Sequence, residues 1–358
     1  MLNKLESLNT EQLSAEALRN LLAQAPDLAI IEDRTESTDS GVDLLLHIDF
    51  NGKPHALACE IKASGQPRHV KSALLDLKRY AQSRNEPAIP ILIAPYLSEG
   101  ARALCVEHQV GYLDLQGNAR IVFPGFYLLR EVAGKPKSER RALRSLFKPK
   151  SAQVLRIMLR DPSRTWRVAD LSALSEVSAG QVSYVRNGLL DRGWAEVTSD
   201  GLCLSHPDAL LDAWRDEYAP PAGDRTTYYT TMHGTSLDKA LRQLQTELSQ
   251  DDASAVLASF SAANWLAPFA RTGTHHFYAD AAGARRLRDT LGLEPAHRGE
   301  NVVVTLLEDT GPLQDVVEPA PGIRTTSPVQ TYLDLYASGE RGREAAQHLR
   351  QELLQWTK

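Results

Sequence analysis

Leu57-Ala58-Cys59-Glu60-Ile61-Lys62 is short and apolar, and it carries one carboxylate and one amine two residues apart. Successive side chains of a strand alternate faces, so Glu60 and Lys62 share one face while Cys59 and Ile61 point into the core. That is the layout of an acid-x-lysine metal site. Its meaning depends on what else converges on it.

The preceding residues supply a register. Ser40-Gly41 opens the segment 42–50, in which Leu44, Leu46, Ile48 and Phe50 alternate with Asp43, Leu45, His47 and Asp49, a period-two strand pattern. Asn51-Gly52 follows, a strong hairpin signal, and residues 55–62 return. With a two-residue turn Phe50 faces Lys53, and counting outward sets Asp43 opposite Glu60. Lys62 lies on the same face one step further on. Pro54 shifts this register only if it enforces a longer loop. Opposed residues lie about 4.5–5.5 Å apart at Cα, and two like charges at that distance cost stability unless a cation or a proton separates them. The pair therefore points to a divalent metal. Two carboxylates suit Mg²⁺, a hard ion that keeps several of its waters. Such an ion would activate a bound water and stabilise charge on a scissile phosphate, with Lys62 orienting or deprotonating the water.

Around this hairpin the N-terminal third reads as alternating helices and strands. Thr10 can cap a helix whose apolar positions Leu13, Leu18, Leu21 and Leu22 repeat at roughly helical spacing, and 28–31 is a short strand. A helix over 70–82 buries Val70, Ala73, Leu74, Leu77 and Tyr80/Ala81, and 87–96 is a central apolar strand. Ser98 caps the next helix and 111–115 is a strand, making a βαβ unit with a parallel pair. Residues 121–129 read as one closing strand after the turn Gln116-Gly117-Asn118.

Gly41-Val42-Asp43, Cys59-Glu60-Ile61-Lys62 and the helix carrying Arg79-Tyr80-Ala81-Gln82 together resemble the PD-(D/E)xK nuclease superfamily, over roughly residues 32–129. The resemblance implies a restriction-endonuclease-like αβ sandwich with a mixed sheet over 1–134. It implies Asp43 and Glu60 as Mg²⁺ ligands, Lys62 as the catalytic lysine and Gln82 as an accessory group. Val42 stands where the family pattern has proline. The motif is compatible with a Mg²⁺-dependent DNA endonuclease and equally with the same fold kept as a scaffold without turnover.

Residues 135–150 break the composition, with Lys135, Lys137, Arg140, Arg141, Arg144, Lys148 and Lys150 against one acid, Glu139. This is a solvated basic linker or a phosphate-tracking arm. Residues 151–219 follow as short helices over 151–160, 168–174 and 179–192, then a small hairpin around Ser199-Asp200-Gly201 and a closing helix. Three helices with a β-wing make a winged helix-turn-helix. With Val182, Val185 and Leu189 inward, the third helix presents Gly180, Ser183, Tyr184 and Asn187, flanked by Arg186. Asn and Arg can read base edges of double-stranded DNA, and Ser or Tyr can hold phosphate. Asp191, Glu196 and Asp200 nearby fit a protein contact instead, unless Arg140, Arg141 and Arg144 supply the positive charge.

After the linker Pro220-Pro221-Ala222-Gly223, residues 224–358 read as a mixed α+β domain. Residues 166–214, His233-Gly234, Gln330-Thr331-Tyr332-Leu333-Asp334-Leu335-Tyr336 and Arg341-Gly342-Arg343-Glu344-Ala345-Ala346 resemble the AbiEi-type antitoxins of type IV toxin–antitoxin systems. That resemblance implies a DNA-binding transcriptional regulator acting on its own operon, with a companion nucleotidyltransferase-like toxin. Short antitoxins of this type lack a nuclease-like front half, a departure of this chain. The whole is thus expected to be a multi-domain α/β protein. A net charge of −5 excludes a uniformly basic nucleic-acid coat, so any such surface is local. Cys59, Cys105 and Cys203 lack metal spacing, and no apolar run reaches membrane length; a cytoplasmic protein is expected, with homodimerisation suited to an operator reader.

Overall fold

The computed structural model describes residues 2–35, 42–83, 87–250, 253–269, 272–296 and 298–356, so Ser40 and Gly41 of the sequence motif lie outside the described residues. The chain divides into two compact units, residues 1–140 with 187–195 and residues 141–186 with 196–358. Among the described residues the architecture is mixed α/β, with two seven-stranded sheets and one two-stranded sheet. Among the described residues no helix is long and apolar enough to cross a membrane.

In chain order the first unit holds α1 (Leu2–Leu22), β1 (Leu28–Thr35), β2 (Leu44–Phe50), β3 (Lys53–Ile61), α2 (Pro67–Ser83), β4 (Ile89–Ala94), α3 (Glu99–Glu107), β5 (Gly111–Asp114), β6 (Ala119–Phe123) and β7 (Phe126–Arg130). Its seven strands lie in sequence order, antiparallel from β1 to β3, parallel from β3 to β5 and antiparallel from β5 to β7. The sheet is therefore mixed. Alternation divides it into two cores: Leu44, Leu46, Ile48, Leu57 and Cys59 pack with Leu18, Leu21 and Leu22 of α1. Leu45, Ala56 and Ala58 pack on the other face with Val70, Leu74 and Leu77 of α2 and with Ala101 and Cys105 of α3. Burial of each large aliphatic side chain contributes roughly 1.5–3 kcal/mol, which is what holds the two helical layers on.

The β2–β3 turn needs left-handed backbone at both central residues, and Asn51 (φ 52°) and Gly52 (φ 74°) adopt it. Two expectations are corrected here. Thr10 lies inside α1 rather than capping it, and Leu13 is 46% exposed. Residues 121–129 form two strands, because Pro124-Gly125, with Gly125 at φ 86°, turns the chain between β6 and β7.

The basic run is helical over most of its length. It forms α4 (Lys137–Leu146), since Leu143 and Leu146, three residues apart, are both buried and anchor one helical face. There follow α5 (Pro149–Arg160), α6 (Val168–Ser175), α7 (Ala179–Asp191), β8 (Ala195–Val197), β9 (Leu202–Leu204) and α8 (Pro207–Asp216). Three short helices thus precede a two-stranded hairpin. Beyond them lie β10 (Gly223–Tyr229), α9 (Gly234–Gln250), β11 (Ala255–Leu257), α10 (Ser259–Leu266), β12 (His275–Ala279), α11 (Ala281–Leu291) and β13 (Glu294–Pro295). The chain continues through β14 (Val302–Leu307), α12 (Gly311–Gln314), β15 (Val316–Ala320), β16 (Ile323–Thr326), α13 (Pro328–Tyr336) and α14 (Glu340–Leu353). The second sheet runs β13-β10-β14-β12-β11-β16-β15. Leu237, Leu241 and Leu244 of α9 and Leu287 and Leu291 of α11 cover one face with Phe277 and Val304.

Candidate functional site

The β2–β3 ladder pairs Phe50 with Lys53 and, six steps on, Leu44 with Cys59. Pro54 sits inside the ladder opposite Asp49, so it does not lengthen the turn. The regular ladder ends at the Leu44–Cys59 pair, and Asp43 lies one residue before β2. The Asp43 N–H donates to the Cys59 carbonyl (3.0 Å), and the Ile61 N–H donates to Asp43 Oδ2 (2.7 Å). Lys62 Nζ donates to Glu60 Oε1 at 2.5 Å, and both side chains are half-buried. Asp43 and Lys62 thus both lie near Glu60, at the end of β3.

Burial raises the Glu60 pKa above the usual carboxylate range; the Lys62 hydrogen bond and charge pull it down, while Asp43 and Asp76 push it up. Asp76, on α2, was not singled out from the sequence. Only the packing of α2 on the sheet brings its charge to bear on Glu60, and no local motif announces it. Gln82 is set apart: it is exposed in the last turn of α2, six residues past Asp76. That is about 9 Å along the axis and roughly 120° around it.

Two carboxylates on one face, with the charged form of Glu60 disfavoured by burial and by Asp43, are the condition a cation relieves. The pair fits Mg²⁺ bound with most of its waters kept, not a closed protein-ligated site. Among the described residues no group of three or more His, Cys, Asp or Glu could hold a metal.

On α7 the inward and outward faces fall as read from the sequence. Val182, Val185 and Leu189 are buried, Gly180, Tyr184 and Asn187 are exposed, and Ser183 and Arg186 are half-buried. Of the basic run, Arg140 and Arg141 are exposed, and Arg144 donates to Glu217 (2.9 Å). Its lone acid, Glu139, is ion-paired with Arg192 at 2.9 Å.

The C-terminal run Gln330–Tyr336 forms most of α13, whose two stripes have different surroundings. Gln330 and Asp334, at i and i+4, enter a buried polar hub. Arg156 of α5 donates to Gln330 Oε1 (3.1 Å), Gln330 Nε2 donates to Tyr218 Oη (2.8 Å), and Tyr218 donates to Asp334 Oδ1 (2.5 Å). Burial lifts the Asp334 carboxyl to about 6 against the hydrogen bonds from Tyr218, Tyr278 and Gln330 and the Arg156 charge, and burial lowers Arg156 to about 10. Tyr332 and Tyr336, the other i, i+4 pair, line an open groove of about 910 Å³. Sequence reading noticed this run as a motif and missed its split into hub and groove.

Compared with known families, residues 203–355 match the family described as "Transcriptional regulator, AbiEi antitoxin, Type IV TA system". The match lies within the second unit, covers fewer than half of the residues and includes the whole Gln330–Tyr336 run. No curated protein and no solved structure matches the chain.

Proposed function

We propose that this protein is a DNA-binding transcriptional regulator of the AbiEi antitoxin type. The match of residues 203–355 to that family carries the reading. Immediately upstream, α5, α6 and α7 with the β8–β9 hairpin have the element order of a winged helix-turn-helix, and Gly180, Ser183, Tyr184, Arg186 and Asn187 of α7 are its DNA-reading surface. Arg140, Arg141 and Arg144 add local phosphate contacts to a chain whose overall charge is acidic. In this reading the protein works in the cytoplasm as a homodimer on its own operator and is paired with a nucleotidyltransferase-like toxin. A gel-shift series on the DNA upstream of its gene tests it. Binding there should weaken on Asn187→Ala or Tyr184→Ala; equal shifts of all three proteins would count against α7 as the reader.

A second reading rests on the convergence of Asp43, Glu60 and Lys62, a restriction-endonuclease-like arrangement. As a DNA endonuclease, Asp43 and Glu60 would hold Mg²⁺, which supplies charge neutralisation at the scissile phosphate. Lys62 would hold or move the proton of the attacking water, with its ammonium now donating to Glu60. Metal-dependent cleavage of duplex DNA, lost in Lys62→Ala, is the expected result; cleavage unchanged in that variant would remove this reading.

A further inference from the structure

The second unit buries an arginine and an aspartate without pairing them. Arg156 of α5 and Asp334 of α13 are 3% and 4% exposed. Among the described residues neither makes an ion pair, and Arg156 Nε has no hydrogen-bond partner. Gln330 stands between them, accepting from Arg156 on Oε1 (3.1 Å) and donating from Nε2 to Asp334 Oδ1 (3.0 Å). The two groups are held apart by the width of one amide. A buried ion without its counter-ion is costly, so this bridged arrangement suits a neutral carboxyl, and a charged carboxyl favours direct pairing with the guanidinium.

The neighbours restrict how that pairing can be reached. The start of α12 abuts the guanidinium: a Cβ on Gly311 would stand 2.9 Å from Arg156 Nη2 and 2.7 Å from Gln153 Nε2. One turn further along α5, Arg160 is ion-paired with Asp315. The flexible Gln330 side chain is the part free to swing. The same helix also holds α7, because Gln181 Nε2 donates to the buried Ser151 Oγ (2.8 Å). A contiguous set of contacts thus runs from Asp334 through α5 to α7.

The groups facing Asp334 are Tyr218, which donates to it, Tyr278 of β12 and Arg156. The charge of Asp309 reaches Arg156, and that of Arg225 reaches Tyr278. α10 contributes no titratable side chain, and α14 turns Arg343 and Arg350 to Tyr336 and Tyr332 on the other stripe of α13. Among these groups there is no histidine. A proton entering the network near neutral pH therefore goes to Asp334, whose carboxyl burial lifts to about 6.

We propose that Gln330 gates a two-position switch. While Asp334 holds a proton the amide bridges it to Arg156; when the proton leaves to solvent the amide swings aside, Arg156 pairs with the carboxylate, and α5 shifts α7 through Ser151 and Gln181. The consequence for operator binding rests on the reading of α7 as the DNA reader, whereas the coupling of Asp334 to α7 does not.

The test follows the full chain by NMR from about pH 5 to about pH 7, reading the Asp334 carboxyl carbon and the backbone amides of residues 179–186. In the free protein those amides should shift with the Asp334 midpoint, and the shift should vanish in Asp334→Asn. Ser151→Ala should keep the Asp334 titration and lose the response of α7, a separation that general destabilisation does not produce. Affinity for the duplex upstream of its own gene should change about tenfold across the window in the native chain and stay level in both variants. Adding that duplex should move the Asp334 midpoint by about one pH unit, the same coupling read from the other side. Amides of 179–186 that ignore Asp334, or that still follow it in Ser151→Ala, would overturn the proposal, as would duplex affinity that is level across the window in the native chain. An intact amide response with no duplex binding at any pH would support the coupling and remove the DNA reading alone.

Discussion

Glu60 shows how closely balanced one residue of the β3 site is. Burial and the charges of Asp43 and Asp76 favour its protonated form, and Lys62 alone among the named influences opposes them. Lys62→Ala is therefore expected to raise the Glu60 pKa further, read by NMR titration of the glutamate side-chain carbons with Glu60→Gln as the assignment control. A fall would mean that the ammonium does not stabilise the carboxylate. Asp334 gives a prediction for stability. Its folded carboxyl titrates near 6, above its ordinary value of 3.8, so the folded state holds a proton that the unfolded state has lost. The group's contribution is present below about pH 4 and is lost as pH rises to about 6, a change of about 3 kcal/mol. Asp334→Asn should flatten the unfolding free energy across that window, measured by urea titration at several pH values; an unchanged slope would contradict the assignment. Little of this was legible from the residues in isolation. The acid-x-lysine pair is local and visible, but Arg156 and Asp334 stand far apart in the chain, and nothing near either announces a buried partner.

At the scale of elements, legibility followed the strength of local signals. Asn51-Gly52 and the flanking alternation gave the β2–β3 register from Phe50–Lys53 to Leu44–Cys59, though not the strand ends, because a two-residue turn admits one register. In contrast, β15 contains a proline and β13 has two residues; neither leaves a pattern of its own. The charges of 137–146 concealed a helix whose two anchoring leucines are a minority of its residues. Leu143→Ala should cost about 2–4 kcal/mol in thermal or urea unfolding, whereas Arg141→Ala should stay within about 0.5 kcal/mol. Similar losses for both would mean that α4 is held by its charges and not by its apolar face. For the hairpin, Gly52→Ala places a side chain at positive φ in otherwise open space and should cost about 1–2 kcal/mol by backbone strain alone.

For the whole molecule, the account joins a mixed-sheet unit carrying two carboxylates and a lysine to a second unit that contains the antitoxin-family match. On the proposed operator-binding reading, a chain of net charge −5 would bind DNA through a local surface, so its affinity should fall steeply with salt and its specificity should depend on α7. The most direct measurement is equilibrium fluorescence anisotropy at a fixed, stated salt concentration, comparing the duplex upstream of its own gene with a scrambled duplex of the same composition. The account predicts at least a hundredfold preference for the upstream duplex, with Asn187→Ala lowering that ratio more than it lowers affinity for the scrambled one. Equal affinity for the two duplexes would contradict it.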